Sequence, residues 1–114
     1  MLILPLFFLL AAAEPSVSGE WSIHRSAAGN ESTQTCHLTQ TGPKLTGTCE
    51  SQKGPVQITG KIEGAKATWT FQTDRDGSPL TIIYKGTVES ATKMNGYVTA
   101  VEFGIEGEFT ATKK

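Results

Sequence analysis

The sequence has no helical repeat of apolar residues, no apolar run of the ~20 residues that a membrane-crossing helix needs, and no block of like charge. Each absence removes a class of function. Ten Lys and Arg stand against eleven Asp and Glu, scattered singly, so no basic surface is set aside for nucleic acid. Gly-x-Ser-x-Gly, His-Glu-x-x-His and phosphate-loop signatures are missing, and no nucleophile stands beside a base in a recognisable context. The expectation is a non-enzymatic protein that needs no cofactor. Cysteine is scarce, at two residues, and neither sits in a thioredoxin or zinc spacing.

The first thirteen residues, Met1 to Ala13, carry no charge and run from Leu-Ile-Leu-Pro-Leu-Phe-Phe-Leu-Leu into Ala-Ala-Ala. That pattern reads as a secretory apolar core with a small-residue cleavage site, too short to anchor the chain in a bilayer. The expected organisation is a signal peptide over 1–13, an N-terminal segment over 14–19 and one domain over 20–114. The product is expected in the periplasm or outside the cell, free of the membrane. In an exported chain two cysteines form a bond, and a domain of about a hundred residues needs such a staple.

From Gly19 onward short alternating segments rich in Thr, Ile and Val are broken by Gly, Pro, Asn or Asp, which is an all-β pattern. Strands are predicted over Glu20–Arg25, Thr33–Gln40, Lys44–Ser51, Val56–Ile62, Ala67–Thr73, Leu80–Val88, Lys93–Val101 and Ile105–Thr112. The connections are too short for parallel crossovers, so neighbours pair antiparallel in sequence order as an up-and-down meander. One hairpin fixes its own register. With Gly42-Pro43 as a two-residue loop, Thr41 faces Lys44, and counting outward brings Cys36 opposite Cys49 on a non-hydrogen-bonded rung, with Cα atoms about 4.5 Å apart. A disulfide there is worth about 3 kcal/mol in the chain-entropy model. The same register puts Leu38 and Leu45 on the cysteine face, and His37, Thr39, Thr46 and Thr48 on the other.

Five segments repeat the order apolar, polar, glycine: Leu45-Thr46-Gly47, Ile58-Thr59-Gly60, Tyr84-Lys85-Gly86, Met94-Asn95-Gly96 and Ile105-Glu106-Gly107. Inward glycines at similar strand depth are the bends that curl a sheet into an eight-stranded barrel, and closure removes its exposed edges. Independent turn glycines are the other reading. The inner face then receives Trp21, Ile23, Cys36, Leu38, Leu45, Val56, Ile58, Trp69, Phe71, Ile82, Tyr84, Met94, Val98, Ile105 and Phe109. A barrel of this size either fills with side chains or holds one small ligand, and both readings stand at this point. In the second, Trp21, Trp69, Phe71 and Tyr84 are walls, while Gln40 and Tyr84 supply polar groups that orient the ligand.

His24 and His37 fall on the outer face of adjacent strands, with Glu20 and Glu31 nearby, and read as solvated histidines because a zinc site wants three or four ligands. Asp74-Arg75-Asp76-Gly77 opens like a calcium loop but lacks the closing Glu, and reads as a charged hairpin turn. Asn30-Glu31-Ser32 matches a glycosylation acceptor.

The segments Gly19-Glu20-Trp21, Leu45-Thr46-Gly47-Thr48, Ile58-Thr59-Gly60-Lys61, Ala67-Thr68-Trp69-Thr70-Phe71, Tyr84-Lys85-Gly86 and Gly107-Glu108-Phe109-Thr110-Ala111 resemble the calycin group, above all its avidin and lipocalin-like barrels and small bacterial exported domains of that type. The resemblance spans most of the chain after the leader and implies an up-and-down barrel whose mouth takes a small ligand. Biotin does not follow: there is no Trp beyond Trp69, Ser22, Ile23 and His24 do not reproduce the polar set after the first Trp, and Ser51 alone fits the avidin polar contacts. A second resemblance, carried by Ser18-Gly19-Glu20-Trp21, Cys36-His37-Leu38 and Leu45-Thr46-Gly47-Thr48-Cys49, is to periplasmic inhibitors of bacterial metalloproteases. It implies that Glu14 to Ser18 insert into a protease cleft. The function expected first is therefore a binding module for a small apolar or aromatic ligand, with a protease inhibitor second and an accessory domain without ligand third.

Overall fold

The computed structural model describes residues 16–114; the signal peptide expected over 1–13, Glu14 and Pro15 lie outside the described residues. Eight strands follow one another: β1 (Gly19–Ala27), β2 (Asn30–Thr41), β3 (Lys44–Ser51), β4 (Gly54–Glu63), β5 (Lys66–Arg75), β6 (Ser78–Ser90), β7 (Lys93–Ala100) and β8 (Ile105–Lys113). Each pairs antiparallel with the next, and β8 returns to β1, so the sheet closes into an up-and-down barrel. The alternation of apolar and polar residues along each strand is what curls it: one face must leave water, and closure hides that face without exposing an edge.

The register of β2 and β3 is the one that the Gly42-Pro43 turn dictates, with Thr41 opposite Lys44, Gln40 opposite Leu45 and Cys36 opposite Cys49. The two sulfurs are bonded, with Cα atoms 4.0 Å apart. A disulfide of this kind belongs to an oxidising compartment. No helix among the described residues is long and apolar enough to cross a membrane.

Several strands run past their expected ends. β2 begins at Asn30 and β5 continues through Arg75, because two-residue turns suffice between them and their neighbours. At Asp76-Gly77 and at Ala28-Gly29 both turn residues take positive φ, 52° and 86° in the first and 52° and 80° in the second. That is the backbone twist a tight hairpin demands. Asp74 and Arg75 therefore belong to the strand rather than to the turn. Between β7 and β8 the chain instead makes a short 3-10 turn, η1 (Val101–Phe103), where the sequence pattern had extended a strand to Val101. The Glu102 carboxylate accepts the backbone N–H and the hydroxyl of Thr81, which draws this turn over the start of β6.

All five glycines of the repeat lie inside strands rather than in turns. Gly60 sits between Leu45 of β3 and Trp69 of β5, and a Cβ there would meet the Trp69 Cα at 2.7 Å. Gly96 opposes Gly86, and a Cβ would meet the Gly86 Cα at 2.6 Å. Bare backbone at these rungs lets neighbouring strands approach where the wall bends most.

The interior is packed. Trp21, Ile23, Cys36, Leu45, Cys49, Ala67, Trp69 and Tyr84 are wholly buried. Val56 and Ile105 are the two expected inner residues that stay half-buried. At mid-height Trp69 stacks on Tyr84 with centroids 4.9 Å apart, and the Phe109 edge meets both rings at 5.9 and 5.1 Å. Such aromatic contacts add about 0.5–1.5 kcal/mol each to the burial itself. The filled reading of the lumen holds through this layer.

Candidate functional site

Because all strands alternate in direction, the barrel has two ends with different furniture. One end gathers residues 16–18, the β2–β3, β4–β5 and β6–β7 turns and the C-terminus; the other gathers the β1–β2, β3–β4 and β5–β6 turns and η1.

The first end is closed by the chain itself. Val17 is 3% exposed; its N–H donates to Gln40 Oε1 at 3.0 Å, and its carbonyl accepts the Trp21 indole N–H at 2.8 Å. The backbone N–H of Gln40 donates to Ser18 Oγ at 2.8 Å, and Lys113 Nζ donates to the Ser16 carbonyl at 3.4 Å. An apolar side chain thus seals the end, and the polar groups around it are paired, which is the condition for burying backbone. Outside the seal the Lys114 ammonium is 3.0 Å from the Glu20 carboxylate and holds it below the usual carboxylate range.

The second end is open. A cleft of about 710 Å³ enters the barrel there, floored by Phe71, Leu80 and Ile82, with Gln34 and Arg25 on the opposite wall. That size is ordinary for a small-molecule pocket. Arg25 follows Trp21 and Ile23 on the inner face of β1, so its guanidinium turns into the mouth rather than toward solvent around the wall. It donates from Nε to Ser32 Oγ at 3.1 Å and from Nη1 to the Tyr84 hydroxyl at 3.3 Å. Tyr84 donates in turn to Gln34 Oε1 at 2.8 Å, and Gln34 Nε2 donates to the Glu50 carbonyl at 2.7 Å. Gln34 is the buried polar side chain of the interior, 6% exposed. Burial pushes the Tyr84 hydroxyl above its ordinary pKa, although the nearby Arg25 charge pulls the other way. Tyr84 is therefore a neutral donor at physiological pH.

This architecture separates the residues that the sequence pattern grouped as ligand walls. Phe71 and Ser51 line the mouth. Tyr84 does not line it and is linked to it only through Arg25 and Gln34, which its hydroxyl bonds, and Trp69 is wholly buried, its indole N–H without a hydrogen-bond partner among the described residues. Trp21 and Gln40 are at the opposite, sealed end, where they hold Val17. Ser51 is engaged as well: its hydroxyl donates to the Gly54 carbonyl at 2.6 Å and accepts the Lys53 N–H, closing the β3–β4 turn. Arg25, Gln34 and Leu80 are mouth residues that the sequence reading passed over. Their signal was present, since each has the inner-face parity of its strand.

The two histidines are apart. His24 opposes Thr33 and meets Glu31 at 2.7 Å, whereas His37 opposes Glu20 several rungs away. No group of three metal-ligating side chains exists among the described residues. A shallower depression of about 510 Å³ lies on the outer wall by His24, Tyr97 and Glu108.

No protein-family model and no curated protein matches the chain. Among solved structures, a redesigned β-barrel is similar over 86% of this chain and 91% of its own, with a TM-score of 0.58 and 14% identity. That likeness concerns the fold.

Proposed function

We propose that the protein is an exported, non-enzymatic binding module of the calycin-like kind, which takes a small ligand with an apolar or aromatic body at its open mouth. The observation that carries this reading is the asymmetry of the ends. One is sealed by Val17 with its polar groups paired, while the other opens as a cleft lined by Phe71, Leu80 and Ile82 beside a buried, hydrogen-bonded amide. Pockets that bind small molecules combine those two features. The packed Trp69, Tyr84 and Phe109 layer limits the ligand to the mouth. Export agrees with the disulfide and with the apolar leader over 1–13. The inhibitor reading loses support from Ser16 onward, because Ser16, Val17 and Ser18 are tied to the barrel rather than projecting from it.

Incubating the purified protein, its disulfide intact, with a mixture of hydrophobic metabolites and weighing it by native mass spectrometry tests the proposal. A retained small molecule is expected, lost in Leu80→Asp at the mouth and kept in Thr39→Lys on the outer wall. Retention of nothing, or equal retention by both variants, defeats it.

A further inference from the structure

We propose that the mouth recognises a carboxylate: Arg25 receives the acid group of a small ligand whose apolar body rests on Phe71, Leu80 and Ile82. This inference rests on the mouth being the binding site and adds the chemical class of what enters it.

An inward-facing guanidinium is costly to hold away from water and is ordinarily matched by a carboxylate. Arg25 is half-buried, yet among the described residues no carboxylate pairs with it. Its two partners, Ser32 Oγ and the Tyr84 hydroxyl, are neutral oxygens that position the group without balancing its charge. They take two of its five N–H donors, which leaves donors of the fork open to the cleft.

Three acidic groups around the mouth are engaged by partners other than Arg25. Asp74 Oδ2 lies 2.6 Å from Lys53 Nζ and also accepts the Gly77 N–H. Glu50 approaches His37 on the outer wall at 3.9 Å, and Glu102 is held by Thr81. Asp76 is exposed in the β5–β6 turn. A second cation, Arg75, lies 5.8 Å from the Phe103 ring centroid and likewise has no carboxylate partner among the described residues. The cleft lining carries as many carboxylates as cations, so what marks Arg25 is that its guanidinium is turned inward beside an apolar floor with no carboxylate against it.

A planar fork with free donors matches a carboxylate in two parallel bonds. Beside it the chain Tyr84, Gln34 and the Glu50 carbonyl is internally satisfied, so the guanidinium is held in place before the ligand arrives. Such preorganisation reduces the ordering cost of binding. An acid with a short apolar tail or a flat ring satisfies both halves of the site.

Octanoate and octanol differ in the acid group and share the tail, so titration calorimetry with the two probes isolates it. Octanoate is expected to bind at least about tenfold more tightly, as a charge-assisted pair predicts. Arg25→Met should erase the preference, and Arg25→Lys should restore part of it. In the unmutated protein the Arg25 Nε–H resonance should move with octanoate and stay with octanol, a readout independent of how the variants fold. Equal affinity for the two probes, or a preference that survives Arg25→Met in a folded variant, overturns the carboxylate assignment while mouth binding stands. If neither probe binds and the Arg25 resonance is still, the assignment falls; a mixture that also leaves nothing retained takes the mouth reading with it.

Discussion

Each end of the barrel carries one inward-facing glutamine, and what each amide holds differs. At the sealed end Gln40 accepts from the Val17 backbone and donates to the Gly42 carbonyl, so it grips the chain's own N-terminal segment. At the mouth Gln34 grips Tyr84 and the Glu50 carbonyl, and no segment of the described chain crosses above it. The same side chain type builds a plug in one place and a rigid wall in the other. The sealed end thus fixes the chain's own N-terminal segment, and the paired polar groups of the mouth hold Arg25 in position.

The contrast breaks most visibly through Trp21. Trp21→Ala removes a wholly buried indole and the donor that holds the Val17 carbonyl. A loss of about 3–5 kcal/mol is expected in urea unfolding, with the Val17 amide losing protection from hydrogen exchange. A loss under about 1 kcal/mol would mean that this end is not a structural seal. Next in size is the Cys36→Ala, Cys49→Ala pair, expected to cost about 3 kcal/mol by denaturant midpoint, since the bond closes a short loop in the unfolded chain. At the mouth, Gln34→Leu takes away the acceptor of the buried Tyr84 O–H and the side-chain donor to the Glu50 carbonyl, for a loss of about 1–3 kcal/mol in the same assay.

The smallest effect is Tyr84→Phe. The folded-state pKa of Tyr84 is raised above the ordinary 10.0, so between that value and the raised one the unfolded chain binds fewer protons and stability falls as pH rises. Unfolding curves collected upward from pH 10 should decline less steeply in the variant than in the parent. Parallel declines would show that Tyr84 is not the group responsible.

The fold was legible because its signals are local. Gly42-Pro43 fixed a register, the register brought Cys36 to Cys49, and period-two alternation named the inner face. The candidate site was less legible because parity gives a residue's face and leaves its height along the barrel unstated. Trp21 and Gln40 share the inner face with Phe71, but strand direction carries them to the sealed end. Arg25 and Gln34 had the inward parity too, yet charge and amide chemistry read from sequence as solvent-facing. Val17 lay outside any alternating run, so nothing periodic marked it as a plug. Its burial depends on Gln40, far along the chain.

A backbone-resolved NMR titration with octanoate decides between the two ends directly. Shifts confined to Gln34, Phe71, Leu80 and Ile82, with Val17, Trp21 and Leu45 still, are the result expected. Shifts centred on Val17, Trp21 and Gln40, or an unchanged spectrum at saturating probe, would contradict it.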